Sequence, residues 1–290
     1  MREIRLKARA KINLGLDVLR KRDDGYHEVR MIMQTIQLYD RINIYRTKDT
    51  QIKIRTNLRF LPVNEDNLAY KAAKMLLDEF RAEEGVVIEL NKYIPVAAGM
   101  AGGSSDAAAV LVGINKMFGF RLSKQQLMER AVKIGADVPY CVMRGTALAE
   151  GIGEKLTPLP PMPDCYILVA KPGIHVSTKF VYGNLKANEL KYHPDIDGQI
   201  EALQHGDLRM LAERMGNVLE TVTIPAYPVI GQIKEMMREH GALNAMMSGS
   251  GPTVFGLFDD ETKARTAYEA LRNNEDAKQV YLVYGGQNER

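Results

Sequence analysis

Cysteine is scarce in this chain: Cys141 and Cys165 are the only two among 290 residues. Their separation matches neither metal-ligand nor redox spacing, so they read as small buried apolar residues of a protein expected in a reducing cytoplasm. No apolar run approaches the roughly 20 residues that a spanning helix needs, and no membrane association is expected. Met1-Arg-Glu-Ile-Arg-Leu-Lys7 carries no apolar core of a secretory signal, so none is expected either. A strong excess of one charge is also missing. The net charge of +3 is too mild to argue for nucleic acid. Only the N-terminal stretch is locally basic, with Arg2, Arg5, Lys7, Arg9, Lys11, Arg20, Lys21 and Arg22. A solvated face explains it most simply; a small anionic ligand is the second reading and RNA a weaker third. Internal repeats and low-complexity tracts are absent.

What is present fits a soluble globular protein. Hydrophobic residues make up 46% and charged residues 26%, and the length allows one large domain or two ordinary ones. The richest run is Pro95-Val-Ala-Ala-Gly-Met-Ala-Gly-Gly-Ser-Ser-Asp106. It follows the β-type segment Val86–Leu90 and leads into Ala107-Ala-Ala-Val-Leu-Val112, a strong helix former. Glycines and serines at a helix mouth present unpaired N–H groups at the positive end of the helix dipole, which suits phosphate. The run is not a Walker A loop, since no Gly-Lys-Ser/Thr closes it. It is not the dinucleotide fingerprint either, because Ala101 stands two residues after Gly99. The plainer alternative is a glycine-containing turn with a serine cap.

From Ile4 to Val18 every even position is apolar (Ile4, Leu6, Ala8, Ala10, Ile12, Leu14, Leu16, Val18), which predicts one long strand, bent or bulged near Gly15. Lys11 and Asn13 then share one face, roughly 7 Å apart. Asp23-Asp-Gly25 predicts a turn, and strands are expected at 31–36, 40–45 and 51–55. Asn64 or Asp66 is expected to cap a helix carrying Leu68, Ala72, Leu76 and Phe80. Ser123 is expected to cap another, with Leu127, Ala131, Val132 and Ile134 on its apolar side and an end at Gly135. Residues 157–163, Thr-Pro-Leu-Pro-Pro-Met-Pro, suit neither helix nor central sheet and make the best domain boundary, dividing 1–156 from 164–290. Beyond it come an expected strand at 166–170, several helices, a hairpin of 244–248 and 253–258 about Gly249-Ser-Gly-Pro252, a helix over 262–272 and a strand at 279–283. With the helices collapsed, the order is βαββαβ, the ferredoxin-like order.

Five segments carry candidate chemistry, in this order: Ala10-Lys-Ile-Asn-Leu14, Asp24-Gly-Tyr-His27, Pro95 to Ser105, Gly135-Ala-Asp-Val-Pro139 and Ser248-Gly-Ser-Gly251. Singly each has a bland explanation: a solvated lysine, an Asx-type turn at Asp137, a packing histidine, a hairpin turn. Together they resemble the GHMP kinase superfamily over nearly the whole chain. Ala-Lys-Ile-Asn-Leu with Asp-Gly-Tyr-His is similar to the branch that acts on a cytidylated methylerythritol in the non-mevalonate isoprenoid pathway. Two departures are visible: Arg9 stands where proline is common, and Ala97, Ala98 and Ala101 where glycines are.

The resemblance implies an α+β fold of two domains, a ribosomal-protein-like N-terminal half and a ferredoxin-like C-terminal half with extra helices. It implies a small-molecule kinase using ATP and Mg2+ to phosphorylate a tertiary 2-hydroxyl. Asp137 is the implied base and Lys11 the residue that keeps it ionised and stabilises the alkoxide. Pro95, Val96, Ala97, Ala98, Gly99, Met100, Ala101, Gly102, Gly103, Ser104 and Ser105 are the implied ATP loop. Asn13, Tyr26, His27, Thr178 and Tyr182 are the implied substrate contacts, with cytosine between Tyr26 and Tyr182. Gly249-Ser-Gly251 is expected to close the substrate phosphate side, and the protein is expected as a monomer or weak homodimer. A homoserine- or mevalonate-type kinase is the alternative, and an RNA-binding module a remote one, since the N-terminal fold also occurs in ribosomal proteins.

Overall fold

The computed structural model describes residues 1–285. Strand β1 (Glu3–Lys21) is the long strand that the alternation predicts, with Ile4, Ala8, Ala10, Ile12, Leu14, Leu16 and Val18 buried. From Lys11 onward its other face is covered as well: Lys11, Asn13 and Asp17 are also buried. Gly15 is needed for contact, since a Cβ there would come within 2.4 Å of the Gln199 Oε1. Strand β2 (His27–Arg46) merges the two strands expected at 31–36 and 40–45. The intervening Gln37-Leu38-Tyr39 has no glycine or proline to break the ladder.

After β3 (Ile52–Thr56), helix α1 (Leu68–Glu79) is capped by Asn67 rather than Asn64 or Asp66. The Asn67 side chain accepts from the Ala69 N–H, while Asn64 accepts from the Asp66 N–H in the turn before it. Strand β4 (Val86–Asn91) leads through the glycine run to α2 (Gly102–Phe118). Helix α3 (Lys124–Ala131) begins in a full capping box of Ser123 and Gln126. It stops short of Val132, which is exposed. Then follow α4 (Val138–Met143), β5 (Thr146–Gly151), β6 (Lys155–Pro158) and β7 (Tyr166–Pro172). Helices α5 (Thr178–Asn184), α6 (Ile196–His205) and α7 (Leu208–Glu213) precede the short β8 (Gly216–Asn217). Helices α8 (Glu220–Ala226) and α9 (Val229–Glu239), strands β9 (Asn244–Met247) and β10 (Val254–Phe258), helix α10 (Glu261–Arg272) and strand β11 (Ala277–Tyr284) complete the order.

The chain forms two compact units that alternate along the sequence. The first comprises Met1–Ala10, Leu38–Val96 and Ala101–Arg144. In it β4 runs antiparallel to β2, with Arg41 opposite Asn91, and parallel to β3. Helices α1 and α2 pack together. Gly113 lets α2 approach the sheet, where an added Cβ would meet Leu6 and Ile44 at 2.6 and 2.7 Å.

The second unit comprises Lys11–Gln37, Ala97–Met100 and the chain from Gly145 onward. Its four-stranded antiparallel sheet has the order β11-β7-β10-β9, the ferredoxin-like arrangement expected from βαββαβ. Helices α5 to α9 and strand β8 fill the connection between β7 and β9. Strand β5 pairs with the first half of β2, and β8 lies parallel to β1 with Gly15 opposite Gly216. Pro158 sits in β6, which pairs with β5 alone among the described strands, an edge position where a missing N–H is tolerated. Cys141 and Cys165 are both buried, one in each unit, and burial pushes the Cys165 thiol up to about 12.

Candidate active site

In the second unit the polar face of β1 meets the tip of the glycine run. The Lys11 ammonium donates to the Asn13 Oδ1 at 2.7 Å and to the Gly99 carbonyl at 2.9 Å. The shared strand face thus brings Lys11 and Asn13 into direct contact. Ser248 donates its hydroxyl to the same Gly99 carbonyl at 3.0 Å. Glycine is required there: φ is +72°, and an added Cβ would stand 2.1 Å from the Ser248 carbonyl oxygen. Gly249 is also near, since its added Cβ would lie 3.3 Å from the Gly99 carbonyl oxygen and 3.6 Å from the Asn13 Oδ1. The apolar residues of the run have a plain role: Ala98 and Met100 are buried anchors.

Asn217, which no motif marks, holds the hairpin loop from beneath. Its Nδ2 donates to the carbonyls of Met247 and Gly249, both at 2.8 Å. Thr178, exposed at the start of α5, shares a 2.8 Å hydrogen bond with the Ser250 hydroxyl. The ring of Tyr182 lies 5.2 Å from that of His27, tilted by 46°, while Tyr26 is 60% exposed. The His27 Nε2 is buried without a hydrogen-bond partner. Burial, with Lys21 nearby, lowers the pKa of His27, so its neutral form is favoured. A neutral imidazole nitrogen of this kind is ready for a ligand's donor or acceptor.

In the first unit the mouth of α2 opens on Ala101, which is in the left-handed conformation at φ +55° and makes no side-chain cap. The N–H groups of Gly102, Gly103 and Ser104 belong to the first turn and have no acceptor within the helix. The Ser105 N–H bonds to the Ala101 carbonyl, and its hydroxyl donates to the Arg9 carbonyl at 2.6 Å. Ser105 therefore ties the helix to β1. Pro95 is buried and Val96 half-buried, while Ala97 is exposed with φ at +51°. Asp137 begins α4, but its half-buried carboxylate makes no capping bond to that helix. It is thereby left available for other work.

The first unit also holds a charged cluster that no sequence spacing marks. The Lys92 ammonium meets Asp106 at 2.5 Å and bonds Asp40 as well. Burial alone would lower the Lys92 pKa, but Asp106 and Asp40 more than offset it and hold it raised. Burial pushes the Asp106 carboxyl up to about 8; Lys92 opposes that shift and Asp40 reinforces it.

Family models match the chain on both sides of its middle: "GHMP kinases N terminal domain" over residues 67–145 and "GHMP kinases C terminal" over residues 199–277. A relative from Lachnospira eligens, named 4-diphosphocytidyl-2-C-methyl-D-erythritol kinase, is 60% identical over 283 residues, 98% of either chain. The chain belongs to the GHMP kinase family. As a GHMP kinase it is a small-molecule kinase that uses ATP as phosphoryl donor. A crystal structure of 4-(cytidine 5'-diphospho)-2C-methyl-D-erythritol kinase aligns with this GHMP kinase at a TM-score of 0.84 and 33% identity, covering 98% of this chain and 100% of that one. Homoserine kinase from Cytophaga hutchinsonii shares the fold at a TM-score of 0.79 and 21% identity, covering 98% and 96%.

Proposed function

We infer that this GHMP kinase transfers the γ-phosphoryl group of ATP to the 2-hydroxyl of 4-diphosphocytidyl-2-C-methyl-D-erythritol, in the non-mevalonate isoprenoid pathway. The likeness of 60% over 98% of both chains to a kinase of that name carries the reading. In it, Asp137 takes the proton of the acceptor hydroxyl as its oxygen bonds to the γ-phosphorus. The bond from that phosphorus to the bridging oxygen breaks, and ADP leaves with the electron pair. Such transfers are mostly positioning and charge stabilisation. The role of Lys11 is to favour the ionised base and the developing alkoxide; its bonds to Asn13 and the Gly99 carbonyl hold it in one orientation.

The run from Pro95 to Ser105 takes the phosphates in this reading, chiefly on the first-turn N–H groups of α2. Magnesium bound with the nucleotide would neutralise phosphate charge, while the mouth of α2 would supply N–H donors to the phosphates. His27, with its unmatched buried Nε2, suits the hydrogen-bonding edge of cytosine, and Tyr182 beside it supplies an aromatic face. Tyr26 remains the second stacking face proposed, with Asn13 and Thr178 as polar contacts to substrate.

Asp137→Asn tests the base. Turnover is expected to fall by about 10²-fold or more, while ATP affinity, read by calorimetry, stays within a few-fold of the parent. Near-normal turnover would sink the assignment. A panel of acceptors tests the substrate: phosphorylation of homoserine or mevalonate, with the cytidylated compound ignored, would replace it.

A further inference from the structure

Lys92, Asp40 and Asp106 are 8%, 0% and 4% exposed, so three ionisable side chains lie buried together in the first unit. Lys92 stands just after β4, Asp40 within β2 and Asp106 in the first turns of α2. The second Asp40 oxygen accepts the N–H groups of Tyr93 at 2.5 Å and Ile94 at 2.8 Å. Asn57 grips the Lys92 backbone from the other side, donating to its carbonyl at 3.1 Å and accepting its N–H at 2.8 Å. The ammonium lies against the helix mouth, since a Cβ added to Gly102 would be 3.5 Å from the Lys92 Nζ. The Asp106 Oδ1 is buried without a partner.

Stability is a poor explanation for this cluster. Buried ion pairs often contribute no more than well-packed apolar residues of the same size. A cation beside a helix N-terminus also opposes the helix dipole. What an ammonium offers and a leucine cannot is directed bonding that ties strand, loop and helix to one point. That point lies beside Gly102, the first residue of α2.

We propose that Lys92 is a positioning residue for the nucleotide: clamped between Asp40 and Asp106, it fixes the first turn of α2 so that its N–H groups converge on the phosphates. Lys92 does not touch ATP; it acts through the helix turn. The proposal rests on the reading of the α2 mouth as the phosphate site.

Lys92→Met removes the ammonium from both carboxylates, and Asp106→Ala cuts only the side that reaches α2. Either is expected to lower kcat/KM for ATP at least tenfold while KM for the cytidylated acceptor stays within twofold. Asp106→Asn keeps an acceptor oxygen for Lys92 and is expected to retain more than half of the parent kcat/KM. The same ATP-specific loss in the Ala variant, rescued in the Asn variant, decides the matter even if Lys92→Met does not fold. Equal effects on both substrates, or none, overturn the proposal. Hydrogen exchange on the parent separates the two readings: if ATP fails to protect the amides of 102–104, the phosphate site itself is misassigned. If ATP protects them in the parent and equally in Asp106→Ala, only the clamp fails.

Discussion

Ala97 and Ala101 hold φ values of +51° and +55°, a region where a Cβ crowds the following carbonyl. The conformation costs an L-residue about 1–2 kcal/mol, which glycine avoids. Glycine brings its own entropic cost of roughly 0.5–1 kcal/mol relative to alanine. At position 101 the two terms nearly cancel, with a margin in favour of glycine. Ala101→Gly is therefore expected to leave stability unchanged or to raise it by up to about 1 kcal/mol in urea unfolding. The same change at Ala107, inside α2 with ordinary helical geometry, is expected to lose about 1 kcal/mol. An equal loss at both positions would show that the strain at 101 is not felt. The departures from glycine in this run thus have a local meaning. Ala98 is a buried anchor, and the other two alanines hold the left-handed backbone that glycine adopts without strain.

Elements read from the sequence were those whose own residues decide them. Helix α3 is one: Ser123 and Gln126 satisfy each other's backbone donors, whatever surrounds them. Ser123→Ala is expected to cost about 1 kcal/mol of stability and, since no candidate site residue lies on α3, to leave KM for ATP and acceptor unchanged. Thermal melts with steady-state kinetics check both halves. Strand β1 was legible for the same reason, because period-two alternation states which face is buried. The continuity of β2 was less so: it depends on β4 and β5 pairing with its two halves, which no local residue announces. The site divides likewise. Lys11 and Asn13 share a face by period alone, and Gly99 marks a close approach. Asn217 and the Asp40–Lys92–Asp106 cluster arise from segments far apart in the chain. Their partners are set by packing, not by spacing, so neither left a signal in the sequence.

For the molecule as a whole, Asp106 couples folding to pH. Its carboxyl is pushed from an ordinary 3.8 up to about 8 in the folded chain, so the folded state holds a proton that the unfolded chain releases near pH 4. The sign follows: stability linked to this group is complete below pH 4 and is lost as pH rises through about 8. Lys92, with a raised pKa, loses its contribution only above its ordinary 10.5, outside that window. Asp106→Asn carries no such proton. Thermal melts between about pH 5 and 9 are expected to decline less steeply for it than for the parent; parallel curves would remove Asp106 as the source.

The placement of the two thiols has a practical consequence. Cys141 and Cys165 are only 6% and 2% exposed, and with its thiol held at about 12, Cys165 presents almost no thiolate near neutrality. An alkylating reagent reaches either one only when the surrounding structure opens. Because each unit contains one, the rate of labelling at each site, resolved by peptide mass, becomes a separate clock for the opening of that unit. The chain carries two built-in reporters of its own breathing, with no engineered label.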